Sequence, residues 1–98
     1  MILVRDIFNL KYGKAREAIA MWKEGQAILK KGGYNPERIL TDITGKSYTL
    51  VLESTYSSLS DYDDRLQDTQ AHEEWRKWYE KFLPLVESGS REIFRIVE

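Results

Sequence analysis

Two titratable side chains draw attention by their position. Asp6 interrupts the alternating apolar face Ile2, Val4, Phe8 of a segment that reads as a strand. A carboxylate on such a face must be paired or solvated. It is in a salt bridge to a helix Lys or Arg, or the strand has the opposite register, or it is a polar anchor in a cavity, where it could orient a base or bind a substrate hydroxyl. His72 is the only imidazole in the chain. That removes multi-histidine metal sites but leaves a candidate proton shuttle, because imidazole is the side chain that titrates near neutrality without help. The plainer reading of His72 is a partly exposed histidine near a helix start. Asp6 and His72 are therefore the catalytic candidates.

The rings come next. Trp22, Trp75, Trp78 and Tyr79 fall at helical spacing, so they form either plain core or the wall of an aromatic cavity. Tyr56, at the end of a strand's core face, could reach the same mouth. Trp22, Tyr56, Trp75 and Tyr79 are the ligand-binding candidates. Thr44-Gly45-Lys46-Ser47 mimics the end of a phosphate loop, but the first glycine of that motif would fall on Leu40. A strand follows instead of a helix, so this is a hairpin turn. Arg5 and Glu53 are expected to share a face of neighbouring strands as a cross-strand or cross-dimer ion pair. No Ser–His–Asp order and no paired catalytic carboxylates can be read from spacing.

The elements that must position these groups are legible in outline. Residues 2–10 alternate as a strand. Residues 11–14 form a turn, and residues 15–30 switch to helical period, with Ala15, Ala18, Ile19, Trp22, Gln26 and Leu29 on one stripe. Gly25 weakens that helix by about 1 kcal/mol relative to Ala, and Gly32-Gly33 ends it. A second strand is expected over 38–44, a hairpin turn at Gly45-Lys46, and a central strand over 47–56 with Tyr48, Leu50, Leu52 and Tyr56 on its core face. Ser60 and Asp63 read as a helix start.

The helical region 61–87 carries two apolar stripes, one on Tyr62, Leu66 and Thr69 and one on Trp75, Tyr79, Phe82 and Val86. They are rotated by roughly 140° at about 100° per residue, so one straight helix cannot bury both. The expected break lies at 68–71, with a second interruption at Pro84. Ser88-Gly89-Ser90 reads as a turn before a last strand over 92–97. The order is β-α-β-β-α-β: an α+β, ferredoxin-like antiparallel sheet with its helices on one face. The other face, with Leu3, Ile7 and Val51 beside Arg5, Asn9, Glu53 and Thr55, would be bare in a monomer, and a second copy is the simplest cover.

The totals narrow the classes. The 98 residues suit one domain spanning 1–98, and their net charge of −1 offers no field for nucleic acid or an anionic membrane. There is no cysteine, which removes disulfides and thiolate chemistry and fits a reducing compartment. The apolar start Met1–Val4 is cut off by Arg5 and is too short for a signal segment. No apolar run reaches the length of a membrane span. The expectation is a cytoplasmic protein that needs no cofactor and binds neither nucleic acid nor membrane.

Leu10-Lys11-Tyr12-Gly13-Lys14 after the first strand resembles the pattern Leu-Lys-x-Gly-Lys. A helix bearing Trp22 follows, then a hairpin, then Glu74-Trp75 just after the helix break, then Leu83-Pro84-Leu85. As a set these resemble NIPSNAP-like domains of the dimeric α+β-barrel superfamily. The resemblance implies a homodimer with facing sheets and a pocket between each sheet and its own helices. Proteins of this fold include cofactor-independent monooxygenases of antibiotic biosynthesis and haem-degrading monooxygenases. The haem branch uses an Asn, a Trp and an axial His at places that here hold Asp6, Arg65 and Arg76, so that branch does not fit. Three functions follow as expectations. The first is a homodimer binding a small apolar or aromatic molecule. The others are a cofactor-independent monooxygenase and a protein-interaction module.

Overall fold

A computed structural model describes residues 1–31 and 36–98. Strand β1 (Ile2–Leu10) leads through a short turn to helix α1 (Ala15–Lys31). Strands β2 (Arg38–Thr41) and β3 (Thr49–Tyr56) follow, then helices α2 (Leu59–Ala71) and α3 (Glu73–Phe82). A 3-10 turn (Leu83–Leu85) delivers the chain into β4 (Val86–Arg95). The four strands form one antiparallel sheet in the order β2-β3-β1-β4, which is the ferredoxin-like arrangement with β1 and β3 central. The expectation that Gly32-Gly33 ends α1 falls outside the described residues.

The helices cover the face that carries Val4, Phe8, Leu50 and Leu52. The main core joins Leu10, Leu50 and Leu52 of the strands to Ala18, Trp22, Ile28 and Leu29 of α1 and Trp78 and Phe82 of α3. A smaller cluster of Val4, Tyr56 and Tyr62 holds α2. The buried residues of α1 are Ala18, Trp22, Gly25, Ile28 and Leu29, so Gly25, rather than the expected Gln26, is buried, and it faces Trp78 of α3.

The helical region is interrupted as the two stripes require. His72, extended at φ −79 and ψ 116, ends α2 and begins α3, one residue beyond the expected window. Pro84 falls in the 3-10 turn. Val86, counted above as the end of a helical stripe, is instead the first residue of β4. The start of α2 is also corrected: Ser58 is the N-cap, its hydroxyl accepting from the Asp61 amide at 3.1 Å.

Two further boundaries shift for tertiary reasons. Ser88-Gly89-Ser90 is not a turn but part of β4, opposite Ile7, Phe8 and Asn9. Asn9 Nδ2 donates to Ser88 Oγ at 2.9 Å. Continuous pairing with β1 outweighs the local turn preference of these residues. Likewise β2 stops at Thr41, and residues 42–48 form the connection in place of a tight turn at Gly45-Lys46. Asp42 Oδ1 accepts from the Thr49 amide at 2.9 Å, which satisfies backbone that a longer β2 would have paired. Tyr48 precedes β3 with φ +60 and packs its ring at 5.0 Å from that of Tyr12.

The opposite sheet face carries Leu3, Ile7 and Val51 with an ion cluster at its centre. Arg5 and Glu53 are register partners. Arg5 Nε donates to Glu53 Oε2 at 2.8 Å, and Arg38 Nη2 stands 2.6 Å from Glu53 Oε1. Glu92 approaches Arg5 at 3.5 Å. The Glu53 side chain holds the Arg5 guanidinium above its usual range, chiefly through the hydrogen bond. Among the described residues no helix is long and apolar enough to cross a membrane.

Candidate functional site

A cavity of about 410 Å³ lies between the sheet and the helices, beside the break at His72. The sheet contributes Asp6, Phe8, Leu52, Tyr56 and Arg91. Trp22 and Leu29 come from α1; Tyr62, Arg65, Leu66, Thr69 and Gln70 from α2; Trp75, Arg76, Tyr79 and Glu80 from α3. The break is what makes room. It lets α2 pack through Tyr62 near the end of β3 while α3 packs through Trp78 and Phe82 against α1, and the space between those anchorages stays unfilled.

Six of the lining side chains are aromatic rings. Trp22 stands 5.8 Å from Trp75, 6.0 Å from Phe8 and 4.8 Å from Trp78, centroid to centroid. Trp75 stacks on Trp78 at 4.8 Å with an interplanar angle of 24° and lies 5.7 Å from Tyr79. Tyr56 and Tyr62 meet edge to face at 5.1 Å. Such contacts fix ring positions and so preform the cavity. Trp78 itself is core: it is buried, and its Nε1 donates to the Met21 carbonyl at 3.0 Å. The Trp22 indole N–H is buried with no acceptor among the described residues.

The floor carries one ion pair. Asp6 sits on central strand β1 between Leu52 on β3 and Arg91 on β4. Arg91 Nε donates to Asp6 Oδ1 at 2.6 Å, and its guanidinium carbon lies 5.5 Å from the Tyr62 ring centroid. The expected pairing of Asp6 is thus present, with a partner on a strand rather than on a helix. Nearby, the Tyr79 phenol is pushed above its usual value of 10.0 by burial first and by the negative charge of Asp6 second, with Arg91 opposing.

The structure therefore gathers Asp6, Trp22, Tyr56, Trp75 and Tyr79 around one space. His72 is not among the lining residues; it is exposed at the helix junction. The expectation that Asp6 and His72 open onto one cavity is not met: His72 is exposed at the extended junction between α2 and α3. Arg91 and the α2 residues were missed. Arg91 would have been found directly opposite Asp6 had the last strand been read through Ser88-Gly89-Ser90. Among the described residues no group of three or more His, Asp or Glu side chains could hold a metal ion.

Comparison with known proteins supports the fold. A NIPSNAP family protein from Agrobacterium tumefaciens superposes with a TM-score of 0.92 at 21% identity, covering 99% of this chain and 86% of that one. A NIPSNAP domain protein from Burkholderia xenovorans gives 0.91 at 13% identity, covering 99% and 95%. SnoaB, a cofactor-independent oxygenase from Streptomyces nogalater, gives 0.71 at 12% identity, covering 99% and 93%. Identities this low carry the fold and not the chemistry. No curated protein matches the chain. The profile of the NIPSNAP family matches residues 6–98, and the chain belongs to that family.

Proposed function

We propose that this NIPSNAP domain is a homodimer that binds a small, flat, largely apolar molecule between its sheet and its helices. The cavity carries the reading: about 410 Å³ walled by Phe8, Trp22, Tyr56, Tyr62, Trp75 and Tyr79. Close packing is the rule in protein interiors, and unfilled space of this size with a few convergent polar groups is the usual form of a small-molecule site. The test is titration of the wild-type protein with naphthalene, followed by quenching of tryptophan fluorescence and by calorimetry. One-to-one saturable binding supports the reading. Failure of naphthalene and its simple derivatives to bind overturns it.

The homodimer rests on the opposite sheet face. Leu40 and Phe94 are 41% and 43% exposed there, next to half-buried Leu3, Ile7 and Val51. The Arg38–Glu53–Arg5–Glu92 cluster presents both signs of charge, so the face can complement a second copy of itself. Sedimentation at tens of micromolar should give the dimer mass; a monomer would sink this part. A cytoplasmic setting belongs to the same reading.

A catalytic reading has one support, the shared fold with SnoaB, a cofactor-independent oxygenase. The cavity itself contains no imidazole, and Asp6 is tied to Arg91. Ligand binding without turnover is therefore the better account. Oxygen uptake in the presence of a bound, oxidisable phenol would reverse that order.

A further inference from the structure

The sheet floor of the cavity offers more than an apolar surface. Asp6 is the one acidic group among the sheet residues that line it. Its Oδ1 is taken by Arg91, and Oδ2 has no hydrogen-bond donor among the described residues. The side chain is only 21% exposed. A carboxylate in this position has spare acceptor capacity in a mostly apolar setting, where a hydrogen bond from an incoming group is worth more than in water. Leu52, Trp22, Trp75 and Tyr79 line the same cavity and offer apolar contact.

We infer that the ligand of this cavity is an aromatic molecule bearing a hydroxyl group, which donates its proton in a hydrogen bond to Asp6 while its ring lies against Trp22, Trp75 and Tyr79. The inference rests on the binding reading above and adds the functional group that is recognised. A hydroxyl fits better than an ammonium group, because three arginines, Arg65, Arg76 and Arg91, line the cavity against two carboxylates, Asp6 and Glu80, and Arg91 already neutralises Asp6. It fits better than a bare hydrocarbon, which would leave the spare carboxylate oxygen desolvated and unmatched. A phenolic O–H is both flat and a strong donor, and a charge-assisted bond of this kind forms readily with a carboxylate.

Three probes of one shape separate the possibilities: naphthol, methoxynaphthalene and naphthalene. The methyl ether keeps the oxygen and loses only the donor. For the wild-type protein, naphthol should bind about tenfold tighter than methoxynaphthalene, the value of one charge-assisted hydrogen bond after its cost of desolvation. In Asp6→Asn the amide oxygen stays with Arg91, whose guanidinium can only donate, so the NH₂ group faces the cavity. The tenfold preference should then collapse or reverse. A thermal melt of the variant within a few degrees of wild type confirms that the fold is kept. Equal affinities for naphthol and methoxynaphthalene in the wild-type protein overturn the inference and leave the aromatic cavity standing. Retention of the full preference in Asp6→Asn also overturns it. If none of the three binds, the binding reading fails and the inference falls with it.

Discussion

A Cβ atom built on Gly25 of α1 stands 2.6 Å from Cζ2 of Trp78 on α3, closer than non-bonded carbons approach. The indole cannot step aside. It is stacked on Trp75 and Phe82, meets the edge of Trp22, and is hydrogen-bonded to the Met21 carbonyl. The two helices approach as closely as they do because residue 25 has no side chain. Gly25→Ala should therefore destabilise the protein by about 1–2 kcal/mol, the cost of overpacking exceeding the gain of about 1 kcal/mol in helix propensity. Chemical denaturation measures this, and a stabilised variant would show the clash to be relieved without cost.

Filling the cavity should uncouple stability from binding. Leu66 lines it from α2 and is only half-buried. Leu66→Trp places a ring in the space, so the melting temperature should stay within a few degrees of wild type or rise. Naphthalene affinity by calorimetry should fall more than tenfold, since the site is occupied. Undiminished affinity would place the ligand elsewhere.

Glu53 is 3% exposed and holds two arginines of unequal value. Arg5 is about one-third exposed and lies across the sheet in register, whereas the Arg38 side chain is 63% exposed. A double-mutant cycle should give a coupling of about 1 kcal/mol for Arg5 with Glu53 and a smaller value for Arg38 with Glu53, where solvent screens the pair. Equal couplings would mean that burial does not set the strength of these pairs. If the sheet face is the dimer contact, Glu53→Gln should also raise the dimer dissociation constant in sedimentation.

Tyr79 makes stability depend on alkaline pH. Its folded-state pKa lies above the usual 10.0, so above that pH the unfolded chain loses a proton that the folded chain retains. Stability contributed by the neutral phenol is complete below pH 10 and falls as pH rises through the folded value. Tyr79→Phe should show a shallower loss of stability above pH 10 and little change at pH 7. Parallel alkaline curves for variant and wild type would contradict the assignment.

The sequence by itself carried the architecture. Alternation over residues 2–10, helical period over 15–30, and two apolar stripes that one helix cannot bury were enough for the element order, the broken helix and the ion pair of Arg5 with Glu53, because each follows from local periodicity and the sheet pairing it implies. Asp6 was conspicuous for the same reason, as a charge on an apolar face. What the sequence could not decide was where local preference yields to pairing partners far along the chain. Ser88-Gly89-Ser90 looks like a turn, yet β1 lies beside it and makes it strand, and that brings Arg91 opposite Asp6. The side of the chain on which His72 emerges, the contact that makes Gly25 necessary, and the space left between the anchorages of α2 and α3 depend on how the helices dock. Docking is settled by packing among residues distant in sequence, so only the tertiary structure separates cavity wall from filled core.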